Sequence, residues 1–249
     1  MKIQIISDIH FESHSDQGKS FFEALQPDGI DVLVLAGDIA TKSLISPSIK
    51  TFCSMYPDVV YVPGNHESYH RAWGWIDDEL KILSQECPNL HVLQDGITTI
   101  NGQRFLGCTL WYPQTRTAIE HRNSFSDFLY IFDGFINIFD QHKRSKRFLS
   151  ENVRKGDIVV THHMPTFKAI HPDFKNSTIN DLFACNMENI IRKNEPSYWI
   201  FGHTHNSYEG KIKNTKLMCN PFGYLWRVAT NPSKPQENLN FDYNKIIET

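Results

Sequence analysis

Residues 59–67 read Val-Val-Tyr-Val-Pro-Gly-Asn-His-Glu, an apolar run that passes through a Pro-Gly turn into three polar side chains. A short apolar run closed by small residues is typical of a strand buried on both faces. The arrangement recurs at Ile3–Ile6 before Asp8 and His10, at Val32–Ala36 before Asp38, at Ile158–Thr161 before His162 and His163, and at Trp199–Phe201 before His203 and His205. The pattern predicts strands that each end in a polar loop.

Stretches with helical spacing lie between or beside these strands, at Ser20–Leu25, Ser48–Met55, Ala72–Gln85 and Ile179–Lys193. Such alternation predicts βαβ units with right-handed crossovers. Two hairpins are also predicted, one turning at Asn101-Gly102 and one around Asn214-Thr215. Together these features predict an α/β fold, a four-layer α-β-β-α sandwich of two mixed sheets flanked by helices, with residues 1–249 forming one domain.

The stretch 111–155 shows no clear strand and is predicted to be mostly helical, with interruptions. Two interpretations stay open. It is either an exposed helix with one apolar face or a cap-like insertion over a functional site.

The composition narrows the class of protein. A net charge of −3 and an isoelectric point near 6.4 argue against a protein that coats nucleic acid or an anionic membrane. Five scattered cysteines without a C-x-x-C pair indicate a reducing compartment. With neither a signal-peptide pattern over Met1–Ile6 nor an apolar run of membrane-spanning length, we expect a cytoplasmic protein without membrane contact.

The polar residues at the strand ends are predicted to converge, because the carboxyl ends of strands in open α/β sheets form the ligand-binding crevice. Packing several carboxylates and imidazoles together without a cation costs a large desolvation energy. Imidazole, carboxylate and an Asn carbonyl without thiolate suit Mn, Fe, Zn, Ni or Co. Seven ligands exceed the needs of one ion, so two divalent metals are predicted, on Asp8, His10, Asp38, Asn65, His162, His203 and His205.

The series D-x-H, G-D, G-N-H-[DE], a lone His and G-H-x-H occurs here complete and in order between Ile3 and His205. In this it resembles the calcineurin-like metallophosphoesterases, and the segments Phe105–Trp111 and Asn220–Tyr224 are similar to those of compact bacterial or phage members. The resemblance implies the two-sheet fold and phosphoester chemistry. It further implies one metal, Mn first among the candidates, on Asp8, His10 and His205, a second on Asn65, His162 and His203, and Asp38 as the bridge.

The resemblance also implies a mechanism. Two cations lower the pKa of a water held between them, and the resulting hydroxide attacks phosphorus. His66 is then the candidate general acid for the leaving oxygen. Glu67 is a candidate to orient His66, or else a turn-capping or surface carboxylate. Arg116, Arg71 and His163 are candidates for contact with substrate.

Several functions remain open at this point. The first is a phosphodiesterase for a small or nucleotide-derived substrate, and its rival is a phosphomonoesterase or protein phosphatase with the same metal core. A nuclease is disfavoured by the acidity of the chain, although the basic cluster Lys143–Arg147 keeps it open. A scaffold that has lost catalysis would be expected to show eroded ligands. The oligomeric state is left open.

Overall fold

A computed structural model of the protein describes residues 1–225 and 236–249. The first sheet has the strand order β13-β1-β2-β3-β5. These strands are β1 (Lys2–Ile6), β2 (Val32–Ala36), β3 (Asp58–Val62), β5 (Leu90–Val92) and β13 (Ile246–Glu248). Strands β1, β2, β3 and β5 run parallel, and β13 pairs antiparallel with β1.

The second sheet is also mixed, with the order β11-β12-β10-β9-β7-β6. Its strands are β6 (Gly96–Ile100), β7 (Gln103–Cys108), β9 (Ile158–Thr161), β10 (Tyr198–Phe201), β11 (Tyr208–Ile212) and β12 (Thr215–Cys219). The helices are α1 (Lys19–Ala24), α2 (Ile45–Met55), α3 (Trp75–Glu86), α4 (Arg116–Glu120), α5 (Ser126–Tyr130), α6 (Gly134–Asn152) and α7 (Glu188–Asn194).

Three apolar clusters hold the layers together. Alternate residues of the first sheet, such as Ile5 and Val34, pack between the two sheets against Val160 of the second. The opposite face of the first sheet packs against α1, α2 and α3, and the outer face of the second against α6 and α7. Burial of both faces explains why the central strands read as continuous apolar runs. The predicted four-layer sandwich is confirmed.

Two local predictions differ from the structure. The second hairpin turns at Lys213-Asn214, one residue earlier than predicted, because Ile212 pairs with Thr215. Of the predicted helix Ile179–Lys193, only the part in α7 is α-helical. The preceding residues form only a short 3-10 helix, Asn180–Leu182, and a bridge between Ala184 and Met164, extended by the bond from the Cys185 N–H to the Met164 carbonyl, interrupts the α-helical path.

The stretch 111–155 contains α4, α5 and α6, as its mostly helical prediction requires, and also a two-residue strand that the sequence did not indicate. This strand, β8 (Ile131–Phe132), pairs in parallel with β4 (Arg71–Ala72). Aromatic side chains including Trp111, Tyr112 and Phe139 form a separate apolar cluster here with Tyr69. Within residues 1–225 and 236–249, no helix is both long and apolar enough to cross a bilayer.

Candidate metal centre

The polar residues meet at one edge of the sandwich, where the carboxyl ends of β1, β2 and β3 approach those of β9 and β10. Four of these residues have left-handed backbone, with φ of 52° at Asp8, 54° at His10, 56° at Asp38 and 67° at His203. This conformation is rare for residues other than glycine, and clusters of it mark functional sites. The chain therefore turns sharply after β1, β2 and β10, where these side chains meet.

Glycines allow the loops to approach each other closely. A Cβ at Gly202 would lie 2.6 Å from Oδ2 of Asp8, and one at Gly64 would overlap Oδ1 of Asp38. Any larger residue at either position would displace a carboxylate of the site. The glycines of the G-N-H and G-H-x-H motifs are therefore required by packing.

The first group of ligating atoms comprises Asp8, His10 and His205. Nε2 of His10 lies 3.1 Å from Nε2 of His205. Their Nδ1 atoms contact carboxylates, at 3.2 Å from Glu12 and 2.7 Å from Glu237. Because an ionised carboxylate only accepts hydrogen bonds, both Nδ1 atoms carry a proton, and in the neutral form of each ring Nε2 presents a lone pair. Two lone pairs at this distance repel unless a cation is bound between or beside them.

The second group comprises His162, His203 and the amide of Asn65. Nδ1 of His162 donates to the carbonyl oxygen of Ala36 at 2.9 Å, which leaves Nε2 as the ring atom that would bind a metal. That Nε2 lies 2.9 Å from Oδ1 of Asn65 and 3.2 Å from Nδ1 of His203. A metal bound to this group would replace the proton on Nε2 of His162.

Asp38 lies between the two groups. Its Oδ2 is 3.3 Å from Nε2 of His162 and 3.8 Å from Nε2 of His10, while its Oδ1 accepts from the N–H of His66 at 2.9 Å. One oxygen thus reaches ligands of both groups. This is the position that a bridging carboxylate requires.

The pKa values of the buried groups also indicate that the site lacks positive charge. Burial raises the pKa of Asp8 to about 6, although His162 and His205 oppose it. Burial alone would lower the pKa of His162, yet Asp38 raises it to about 10, so a proton is retained where a metal would bind. Among the described residues, Oδ2 of Asp8 is one of the buried side-chain atoms that have no hydrogen-bond partner. The residues fit a pair of divalent metals.

His66 lies beside the first group, packed edge-on against the ring of His10. Its Nδ1 is 3.1 Å from Oε1 of Glu12 and its Nε2 is 3.0 Å from the hydroxyl of Tyr224. Burial disfavours the charged ring, but Asp38 and Glu12 outweigh it and raise the pKa of His66. His66, His10 and Asp38 also lie close enough to hold a metal. With both ring nitrogens already engaged, His66 is better placed to hold a proton.

Glu67 was a candidate to orient His66, but its carboxylate has other hydrogen-bond partners. Its carboxylate accepts from the N–H groups of Asp38 at 3.1 Å, Ile39 at 2.7 Å and Gly64 at 2.7 Å, and from the hydroxyl of Tyr61 at 2.8 Å. These bonds tie the loop after β2 to the loop after β3. The carboxylate that contacts His66 is that of Glu12, not Glu67. Glu67 instead caps the turns, which was the alternative interpretation.

A family model described as calcineurin-like phosphoesterase matches residues 1–207. The chain belongs to the calcineurin-like phosphoesterases. It is 30% identical over 264 residues to an uncharacterised protein of Acanthamoeba polyphaga mimivirus, with 89% of this chain and 91% of that protein covered. This calcineurin-like chain is a phosphoric ester hydrolase.

Solved structures share the fold. The chain is similar to phosphopantetheinyl hydrolase from Mycobacterium tuberculosis, with a TM-score of 0.73, 15% identity and 92% of each chain covered. It is also similar to a Thermus thermophilus protein, with a TM-score of 0.56, 12% identity and coverage of 90% of this chain and 89% of that one. At these identities the likeness shows the calcineurin-like fold alone.

The three predicted substrate contacts lie away from the open part of this calcineurin-like site. The side chain of Arg116 is 90% exposed and pairs with Glu120 at 2.7 Å. The guanidinium of Arg71 stacks 4.5 Å over the ring of Trp75. His163 is buried against the ring of His203, and burial lowers its pKa to about 3. None of the three lines the cavity at the site, so the structure does not support them as substrate contacts.

The cavity measures about 610 Å³ and opens over Asp38, Asn65, His66, His203 and His205. Its wall comes mainly from residues 164–183, and the predicted cap 111–155 contributes Phe125 and Ser126. Among the residues that the structure describes, no Lys or Arg lines this cavity.

Sequence reasoning missed the polar partners of the site residues. Glu12, Glu237, Tyr224 and Asp127 contact His10, His205, His66 and Asn65, respectively. Only Glu12 had a local signal, since it follows His10 by two residues. The other three lie 32, 158 and 62 residues from their partners, and although Tyr224 belongs to the segment Asn220–Tyr224 noted in the sequence, its contact with His66 was not predicted.

Proposed function

We propose that this chain is a dinuclear-metal phosphodiesterase that acts on a small or nucleotide-derived substrate, with His66 as general acid. The observation that carries the proposal is the approach of ring nitrogens from both groups of candidate ligands to Oδ2 of Asp38. Asp8, His10 and His205 would hold one metal, Asn65, His162 and His203 the other, and Asp38 would bridge them. Mn is our first candidate, and Fe, Zn, Ni and Co suit the same ligands.

The metals, when bound, supply an activated water for attack on phosphorus and positive charge for the phosphoryl oxygens. Water adds its oxygen to phosphorus while the bond from phosphorus to the leaving oxygen breaks. His66 gives its Nε2 proton to that oxygen, because Glu12 keeps Nδ1 protonated and stabilises the charged ring. Tyr224 orients the Nε2–H before substrate binds. The products are a phosphomonoester and an alcohol.

The cavity supports a diester over a monoester. A phosphomonoester carries about two negative charges near neutral pH and is commonly held by Arg or Lys as well as by metal. The described lining offers neither, and it includes the carboxylates of Asp173 and Glu237. A diester, with one charge, suits this lining better. All five cysteines are free thiols, which supports the proposed cytoplasmic location.

The test is an assay with Mn²⁺ against bis-p-nitrophenyl phosphate and p-nitrophenyl phosphate. We expect kcat/KM to be at least about tenfold higher for the diester. A preference for the monoester would assign the rival phosphatase function. Inactivity towards both, with two metals bound per chain, would favour a scaffold without catalysis.

A further inference from the structure

Apolar side chains line part of the cavity beside the metal centre and form what we call the apolar wall. It is formed by side chains from the segment after β9 together with one from the loop before α5: Met164, Ile170, Phe174, Ile179, Phe183 and Phe125. Phe174 is 56% exposed although it lines the cavity. An exposed aromatic ring beside a catalytic edge is available to cover a ligand.

The wall is attached to one side of the centre. The ring of Phe183 packs on the ring of His203 with 4.8 Å between centroids, and Phe125 packs on Phe183 at 5.8 Å. The apolar side chains therefore lie next to the second group of ligands, which contains His203. They are held there by the bridge between Met164 and Ala184.

The proposed proton donor, His66, lies beside the first group of ligands, which contains His10 and His205. His66 and Tyr224 both pack against His10, with ring centroids 4.4 Å and 4.2 Å away, and Tyr224 also packs against His205 at 4.7 Å. A leaving oxygen that takes its proton from Nε2 of His66 must lie on this side. The apolar wall, which packs on the side of His203, is then the surface left in the cavity for the ester group that remains on phosphorus.

We infer that the substrate is a phosphodiester whose retained group, the one that stays on phosphorus, is apolar or aromatic and rests on Phe174, Ile170 and Phe183. This inference rests on the proposed phosphodiesterase function. An additional phosphate on the retained group would meet apolar carbon, the Asp173 carboxylate and the neutral polar side chains of Ser177 and Asn180. The described lining has no Lys or Arg, and the nearby imidazole of His171 is already 3.5 Å from Asp173. The substrate class is accordingly a diester with an uncharged, flat or aliphatic retained group.

The experiment varies the retained group while the leaving group stays p-nitrophenolate. Methyl p-nitrophenyl phosphate and phenyl p-nitrophenyl phosphate are compared by kcat/KM in the Mn²⁺-loaded protein. We expect the phenyl ester to be favoured by about tenfold or more, as is usual when an apolar pocket takes up added carbon. Phe174→Ala should reduce this phenyl-to-methyl ratio by about fivefold to tenfold.

Phe167→Ala is the matched control. Phe167 and Phe174 lie on short 3-10 helices of the same segment, at 43% and 56% exposure, but only Phe174 lines the cavity. The control should leave the ratio within about twofold of the parent. If Phe174→Ala and Phe167→Ala had the same phenyl-to-methyl ratio of kcat/KM, the inference would be overturned.

A second measurement does not depend on turnover. Calorimetric binding of phenylphosphonate should be weakened by Phe174→Ala, while binding of methylphosphonate should change much less. Failure of the wild-type protein to hydrolyse either diester would overturn the proposed function itself. Hydrolysis of both diesters at equal rates would overturn only the retained-group inference.

Discussion

At the scale of single residues, the environment of His66 decides what its ring can do. A carboxylate on one ring nitrogen and a hydroxyl on the other hold the imidazole in a fixed orientation. Because Glu12 also contacts His10, one carboxylate supports both a proposed ligand and the proposed acid. Burial would raise the pKa of Glu12, but its hydrogen bonds to His10 and His66 hold the pKa at about 2, so it stays ionised.

His66→Asn is expected to lower kcat by about 10²- to 10⁴-fold for diesters with alkyl leaving groups, because the leaving alkoxide then lacks a proton donor. The loss should be much smaller for p-nitrophenolate, which leaves without protonation. The measurement is kcat across leaving groups of graded pKa, with metal content determined by elemental analysis.

His70→Asn is the control for that series, since His70 is an exposed histidine four residues beyond His66. It should behave like the parent protein. An equal loss for all leaving groups in His66→Asn would exclude the acid role. Loss of a metal from that variant would make His66 a ligand.

At the scale of elements, helix α5 connects the helical segment to the metal centre through Asp127. Oδ1 of Asp127 accepts from Nδ2 of Asn65 at 2.9 Å and from the hydroxyl of Tyr69 at 2.7 Å, and Oδ2 accepts from the hydroxyl of Tyr112 at 2.8 Å. With its NH₂ held in this way, Asn65 must present its carbonyl oxygen to His162. Asp127 is therefore a positioning residue.

Asp127→Leu is expected to reduce bound Mn from two ions to about one per chain, because Asn65 is then free to rotate and the second group loses a donor. Asp127→Asn keeps an acceptor of the same shape and should restore most of the second ion. Elemental analysis after dialysis measures both, with thermal unfolding to verify that each variant is folded.

The exposed Asp140 on α6 offers the matched control, Asp140→Leu, which should keep both metals. Two metals in Asp127→Leu would show that Asn65 needs no such support.

Elements were predictable where local chemistry decides them. Strands such as Val32–Ala36 are buried on both faces and read as apolar runs, and Asn101-Gly102 fits a turn in which both residues have positive φ. The prediction of a helix over Ile179–Lys193 was wrong for its first half, because the pairing of Ala184 with Met164 prevents an α-helix there in spite of the helical spacing. Strand β8 was missed because two residues carry no periodic signal.

The site was predictable in a similar way. Asp8, Asp38 and His162 follow recognisable strands, so their convergence follows from the geometry of parallel sheets. The position of Arg116 was not predictable, because an arginine that faces solvent and one that faces substrate look alike in sequence. The partners Asp127 and Glu237 depend on contacts between distant segments.

At the scale of the whole molecule, the metal centre joins the two sheets. Asp8, Asp38 and Asn65 follow strands of the first sheet, whereas His162 and His203 follow strands of the second. Metals bound between them would link the two halves of the sandwich. Bound metal should therefore stabilise the folded protein as a whole.

Removal of metal by a chelator is expected to lower Tm by about 5–10 °C at pH 8, which corresponds to metal at roughly 100 times its Kd. The fall in Tm on metal removal should be smaller at pH 6. Metal-free protein retains protons on Asp8, with a pKa raised to about 6, and on His162, with a pKa raised to about 10. Metal must displace these protons, so a rise in pH strengthens its binding.

Differential scanning calorimetry with and without Mn²⁺ at the two pH values provides the measurement. Zn²⁺ at equal concentration serves as a comparison between metals. A larger Tm difference at pH 6 than at pH 8 would contradict the displacement of protons.

The left-handed turns at Asp8, His10, Asp38 and His203 are built by the chain itself. Their loops are also tied together by main-chain bonds, such as that from the His10 N–H to the Asp38 carbonyl at 3.0 Å. A site assembled before any ion arrives has little power to reject one ion in favour of another of similar size and charge. We therefore expect the ion bound, whether Mn, Fe, Zn, Ni or Co, to depend on the relative abundance of these metals in the cell as well as on the ligands.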